Sequence, residues 1–266
     1  MHPRTAFGIT AAARPELARL GTGVEALRYD ELWVNDTRRG DGFETLVPVA
    51  AATSRLRLAV GVVALSEQRP AAIAGRVARA SIPDARLTVG VGSGASRSLD
   101  LVRMGVAELR NLLPDHEIAV AAVGPRMARL AGEIADAVVA NWALPERLAD
   151  VREHLELGAA DLGRPAPRLV AYVRTAVGPG AAGRLRGDME RYAGHGPHYA
   201  RAFADQPDQI IGIAVESGTA EEVAGALEPY RSVADTVVVR GLPATDDVDA
   251  WLEIARAAAV PSPGSG

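Results

Sequence analysis

Gly90-Val91-Gly92-Ser93-Gly94-Ala95, preceded by the apolar run Arg86-Leu87-Thr88-Val89, is the stretch on which the reading of this chain turns. It fits G-x-G-x-x-A, a form of the dinucleotide-binding fingerprint, in which glycines allow a tight strand-to-helix turn and close backbone approach to a pyrophosphate. That fingerprint belongs on the first strand of its sheet, with an acid about 20 residues later at the end of the next strand. Here three β/α units come first. The residues that follow, 100–113, are helical in pattern, and Glu108 and Asp115 do not lie at a strand end. The stretch is therefore read as the C-terminal end of a fourth barrel strand, where glycines bring backbone close to a flat ring or a phosphate. A plain tight turn is the alternative.

Outward from this point, short apolar runs alternate with amphipathic stretches. Strands are expected at 5–10, 31–35, 56–62, 86–91, 117–123, 137–141, 168–177 and 236–240. Helices are expected at 15–27, 43–54, 71–81, 98–113, 125–134, 145–162, 182–204, 220–232 and 246–259. Pro125 and Pro145 sit where a first helical turn begins, and Thr219 is a candidate N-cap ahead of Glu221 and Glu222. Several strand runs are apolar at consecutive positions, as when both faces are buried. Alternating buried strands and helices imply a parallel α/β sheet, and eight such units in about 250 residues match a (β/α)8 TIM barrel. The gap between the seventh and eighth strands is long, and 210–215 within it is a further strand candidate, so the count carries an uncertainty of one. One domain is expected over 1–260, with 261–266, Pro-Ser-Pro-Gly-Ser-Gly, as a loose tail.

Composition removes several classes of function. Among 266 residues there is no cysteine, which excludes disulfides, thiol nucleophiles and Cys-ligated metal. All 29 basic residues are arginine, so a Schiff-base lysine and a P-loop lysine are absent. A net charge of −4 with 4% aromatic residues argues against nucleic acid as a partner. No run approaches the ~18 apolar residues of a membrane span, and the start carries no signal-peptide pattern, so a cytoplasmic location without membrane association is expected.

Five further segments join the glycine stretch: Leu32-Trp33-Val34-Asn35-Asp36, Glu44-Thr45-Leu46, Ala52-Thr53-Ser54-Arg55-Leu56-Arg57-Leu58, Gly124-Pro125-Arg126-Met127, and Ala131-Gly132-Glu133-Ile134-Ala135-Asp136. In this order and spacing they resemble the bacterial luciferase-like monooxygenase superfamily, most closely its deazaflavin-dependent oxidoreductases. The resemblance runs from Leu32 to Trp142 and more weakly beyond. It implies a luciferase-like TIM barrel that binds coenzyme F420, or alternatively FMN, at the C-terminal strand ends, acts on a small-molecule substrate and forms a homodimer. The Ala-rich stretches 43–54 and 71–79 are the expected dimer surface.

By the same resemblance, Gly61, Val62 and Ala64 wall the cofactor ring at the third strand end, where the family often carries a non-prolyl cis peptide. Ser93 and Gly94 contribute from the fourth strand, and Val123, Gly124, Pro125, Arg126 and Met127 from the fifth strand and its helix. Free N–H groups at that helix start, with Arg126, suit a phosphate; an ordinary Pro-at-first-turn start with a solvated arginine is the alternative. Asn141 is a candidate for cofactor phosphate or ribityl hydroxyls, and Trp142 for substrate wall or packing. Asp36 and Thr37 are the candidate catalytic positions, with Asp36 also cofactor-facing or else a helix N-cap. Sugar-oxidising relatives carry histidine in place of Thr37 and glutamate in place of Ala95. Without those two proton-handling groups, reduction or oxygenation fits better than alcohol oxidation, which needs a base. A non-catalytic, degenerate barrel stays open. Only about 20 residues separate the fourth and fifth strands, so an open substrate site is expected. His116 and His154 are expected at the surface, and His195 and His198 in a loop near the mouth, without the spacing of a metal site.

Overall fold

The computed structural model describes residues 3–11, 16–122, 124–194, 203 and 211–260. The order is β1 (Arg4–Thr10), α1 (Leu17–Ala26), β2 (Glu31–Asn35), α2 (Gly42–Ala52), β3 (Arg57–Ala64), α3 (Pro70–Ala80), β4 (Leu87–Gly92), α4 (Leu99–Leu112), β5 (Glu117–Ala121), α5 (Pro125–Ile134) and β6 (Ala137–Asn141). There follow α6 (Pro145–Asp161), β7 (Arg168–Val177), α7 (Ala181–Ala193), β8 (Ile213–Val215), α8 (Ala220–Arg231), β9 (Thr236–Gly241) and α9 (Val248–Ala258). Every strand pairing is parallel. Strands β1 to β7 follow in sequence, β9 pairs with both β7 and β1, and β6 pairs with β7, which closes an eight-stranded ring. The fold is a (β/α)8 TIM barrel.

The extra strand candidate is real but is not a stave. β7 is ten residues long, pairs with β6 only through Tyr172, and continues beyond that strand's end. β8 takes up the vacated edge at Thr175–Val177. The expected helix at 182–204 stops at Ala193, and most of its remainder, like Val123, His195, His198 and the tail 261–266, lies outside the described residues.

Alternate residues of each strand point inward and make stacked layers. The lowest layer is charged. Arg168 bridges Glu31 at 3.0 Å and Glu117 at 2.7 Å, Arg4 reaches Glu31 at 3.2 Å, and Arg57 reaches Glu117 at 2.6 Å. The Trp33 indole N–H donates to the remaining Glu31 oxygen at 2.7 Å. Above this plug sit Ala6, Trp33, Ala59, Ala119, Val139, Val170 and Val238, all buried. The main apolar core lies outside the ring, between strands and helices. Local signals read from sequence hold at several helix starts: Pro125 and Pro145 occupy first turns, and the Thr219 side chain accepts from the Glu222 amide. One placement differs. His116 is buried, not superficial, in the α4–β5 connection, with Nε2 3.5 Å from Asp84. A connection of only four residues between Leu112 and Glu117 leaves it against the barrel wall.

Candidate active site at the barrel mouth

The three strand ends expected to hold a cofactor are neighbours in the wall. Val63 pairs with Val91 and Ala64 with Gly92, and β4 in turn pairs with β5. The β3–β4 register slips between Val60 and Val63, and the Gly61–Val62 peptide is cis. The slip explains Gly90: a Cβ there would lie 2.4 Å from the Val60 carbonyl oxygen, inside any allowed contact. Gly94 is needed for a different reason, its φ of +60°. The opening glycine stretch is thus the end of β4 shaped around the bend in β3. Ser93 is half-buried, and Gly94 to Arg97 are exposed, with α4 capped by Ser98 directly after. Among the described residues nothing closes over Ser93.

At the start of α5, Gly124 is an N-cap without a side-chain hydrogen bond, and no described atom lies within 4 Å of where its Cβ would be. Arg126 is exposed and makes no hydrogen bond or ion pair among the described residues. Uncapped amides, an open approach and a free guanidinium are together what an anion needs. Met127 instead packs on the main core.

Asp36 and Thr37 are placed differently from each other. Asp36 accepts from Arg76 at 2.6 and 3.1 Å and from the Gly42 amide at 2.8 Å. Arg76 also holds Asp41, the N-cap of α2, at 2.8 Å. Burial opposes charge on Asp41, but Arg76 and the Glu44 and Phe43 amides outweigh it and hold its carboxyl below the usual range. Arg76 is correspondingly raised: burial opposes its charge, and the two carboxylates more than compensate. Asp36 therefore belongs to a clamp fixing the β2–α2 loop to α3. Thr37 is exposed in a turn, bridging to Gly40.

The opposite side of the mouth is walled by groups that sequence reasoning passed over. Arg174 on β7 and Arg240 on β9 are register partners, and both are buried. Arg174, 1% exposed, donates to the Asn141 side-chain oxygen and lies 3.4 Å from Asp188. Its guanidinium is stacked between Trp142, at 4.4 Å, and Tyr192, at 4.7 Å. Trp142 adopts φ +55°, and its ring also packs edge-on against Phe203. Arg240 donates to Asn35 Oδ1 at 2.9 Å, to Thr10 Oγ1 and to the Gly241 carbonyl. Asn35 in turn donates to the Gly61 carbonyl at 2.9 Å, which joins this cationic wall to the bend in β3. Burial, and next the Arg174 charge, pull Arg240 down to about 10. The signal was present in sequence: an arginine inside each of the apolar runs 169–177 and 236–241, at an inward-facing position near the strand's C-terminal end.

Comparison with known proteins agrees with this frame. The sequence model of the luciferase-like monooxygenase family matches residues 3–116. An F420-dependent secondary alcohol dehydrogenase, solved with an F420-acetone adduct, superposes with a TM-score of 0.78 at 15% identity, covering 96% of this chain and 98% of its own. The coenzyme F420-dependent tetrahydromethanopterin reductase of Methanopyrus kandleri gives 0.72 at 17% identity, covering 98% and 99%. The oxygenating constituent of 3,6-diketocamphane monooxygenase from the CAM plasmid of Pseudomonas putida, in complex with FMN, gives 0.67 at 15% identity, covering 97% of each chain.

Proposed function

We propose that the chain is an oxidoreductase of the luciferase-like type that binds coenzyme F420 across the ends of β3, β4 and β5 and transfers hydride to a small organic substrate. The observation that carries this reading is the pairing of a bent, side-chain-poor strand end with an anion cradle on the next strand but one. Gly61 and Gly92 leave the axis side of the mouth without side chains there, Val62 offers an apolar contact, and the Gly124 amide region with Arg126 suits a phosphate. Bound F420 would supply the hydride-carrying ring carbon. Arg126 and the first amides of α5 would hold its phosphate, and Val62 would back its ring. Ser93 would reach its polar edge.

The proton inventory favours reduction. The Asp36 carboxylate is occupied by Arg76 and Gly42, Thr37 points into an exposed turn, and Ala95 stands at the rim. None of these takes a proton from an alcohol. FMN is the second occupant to test, because an FMN-dependent oxygenase is among the similar structures. A non-catalytic barrel is the third reading, favoured by the stack of Arg174, Trp142 and Tyr192 that fills the β6–β7 side. The same proposal includes a homodimer through the outer faces of α2 and α3, where Val47 is 40% exposed.

Fluorescence titration of cofactor-free protein with F420 and, separately, FMN is the test. Tight F420 and weak FMN binding is expected. Preference for FMN moves the reading to an oxygen-using enzyme. Failure of both below about 100 μM, roughly −5.5 kcal/mol, refutes the cofactor assignment.

A further inference from the structure

We infer that Arg174 and Arg240 form an oxyanion receptor inside the barrel mouth, and that it takes a carboxylate carried by the substrate. The inference rests on the oxidoreductase reading only for the word substrate. The receptor itself follows from an imbalance of donors and acceptors.

Two guanidinium groups project from register partners on adjacent strands into one layer. Arg240 forms no ion pair among the described residues; each of its hydrogen bonds goes to a neutral oxygen. The carboxylate of this cluster, Asp188, is shared between Arg174 and Arg191. Two more buried donors, the Tyr172 hydroxyl and the Trp142 indole N–H, have no hydrogen-bond partner among the described residues. Both belong to rings that face Arg174, at 5.8 and 4.4 Å. A buried donor without an acceptor is costly, and two such groups beside two guanidiniums that share one carboxylate describe a site that an anion completes. The bottom of the same barrel provides the contrast, since Arg168 there is matched by Glu31 and Glu117.

The layer borders the solvent-facing rim, with Arg174 1% and Arg240 9% exposed. Thr10, Asn35 and Asn141 are half-buried, and they are the residues that touch the two guanidiniums. A carboxylate suits the receptor because its two oxygens can face two planar donors at once. The cofactor phosphate has a separate place. The α5 start follows β5, and β7 and β9 lie two and three strands further round, roughly 10–15 Å at 4.7–4.9 Å per strand.

Calorimetric titration of the cofactor-free chain with sodium acetate, sodium succinate and inorganic phosphate tests this in the wild type, Arg240→Gln, Arg240→Lys and Arg126→Gln. The carboxylates are expected to bind the wild type and Arg126→Gln alike. Arg240→Gln should weaken them about tenfold or more, the effect of losing a charged hydrogen bond, and Arg240→Lys should restore part of the loss. Phosphate binding lost in Arg126→Gln but kept in Arg240→Gln would mark the separate cofactor cradle. Equal carboxylate affinity in the wild type and Arg240→Gln overturns the inference, as does an absence of carboxylate binding to the wild type. Should the glutamine variant fail to fold, the wild-type titration and the lysine variant still decide. Carboxylate binding without affinity for F420 or FMN would leave the receptor standing and remove the oxidoreductase reading instead.

Discussion

Two buried arginines in one barrel should respond in opposite ways to removal. Arg168 sits between Glu31 and Glu117, whose side chains are 1% and 19% exposed. Arg168→Met leaves those carboxylates facing each other with only Arg4 and Arg57 at the rim. Breaking a buried ion pair costs about 3–5 kcal/mol, and the remaining arginines place this case at the lower end. Among the described residues Arg240 has no carboxylate to strand. Burial and Arg174 lower it from the ordinary arginine value to about 10, and at about 1.36 kcal/mol per unit the folded state carries a penalty of about 3 kcal/mol at neutral pH. Arg240→Met removes that penalty. It also leaves Asn35, Thr10 and the Gly241 carbonyl without a donor, at about 1 kcal/mol each where water does not replace it. The net change is expected to lie between neutral and about 2 kcal/mol stabilising. Urea unfolding of wild type, Arg168→Met and Arg240→Met at equal slope measures both. The pH dependence fixes the sign independently. Above about pH 10 and up to the ordinary arginine range the unfolded chain still holds the Arg240 proton while the folded chain has released it, so wild-type stability from this group rises with pH across that window and is lower below it. Arg174, Asp188, Arg191, Tyr172 and Tyr192 face the same layer and are present in both proteins, so the difference between wild type and Arg240→Met isolates the one group. A loss in Arg240→Met as large as in Arg168→Met would refute the reasoning, because it would mean that Arg240 is already compensated.

Gly90→Ala should destabilise by about 1–3 kcal/mol, because its Cβ would press on the Val60 carbonyl rather than on a movable side chain; a denaturation midpoint equal to wild type would contradict the fit of β4 against the bend in β3. Asp36→Asn should lower the unfolding midpoint by loosening the Arg76 clamp, with about 1–3 kcal/mol lost, and leave the pH profile of any hydride transfer unchanged; a lost limb in that profile would instead give Asp36 a proton-handling part. Light scattering should return twice 27.8 kDa, and Val47→Glu should shift it toward the monomer.

The barrel was legible in the chain because each β/α unit repeats the same punctuation. Eight staves could be placed from apolar runs, and helix starts from Pro125, Pro145 and Thr219. Boundaries moved where strands outlast their hydrophobic signal: β3 runs on to Ala64 through the bend, which no periodicity announces, and β7 extends past β6 to recruit β8. The glycine stretch gave its position but not its reason, since only the contact with Val60 distinguishes a fitted strand from a turn. The cationic wall was missed for a related cause. Arg174 and Arg240 are 66 residues apart in number yet share one register, and closure of the ring alone makes them neighbours. Asp36 was singled out by resemblance alone, and its attachment to Arg76, 40 residues on, is equally a tertiary fact.

The charge arrangement along the barrel axis argues for where the chemistry lies. At the bottom, Arg4, Arg57 and Arg168 meet Glu31 and Glu117 through hydrogen bonds that satisfy most of the donors, so that end is a sealed plug. At the top, Arg174 is buried on the continuation of Arg168's strand and Arg240 on the strand beside it, but among the described residues Asp188 is the acid that meets them, and it is divided with Arg191. Low dielectric makes this excess strong rather than weak, since little water screens it. A positive field at the mouth, with an open rim at Ser93 to Ser96 and a second cation at Arg126, draws anions to the C-terminal face and away from the plug. In the proposed oxidoreductase such a field would stabilise charge that builds on a substrate oxygen as hydride arrives, and would oppose its removal. The wall that sequence reasoning passed over therefore supports the proposed reading from the same side as the absence of a base at Thr37 and Ala95: both fit reduction of an anionic substrate better than oxidation.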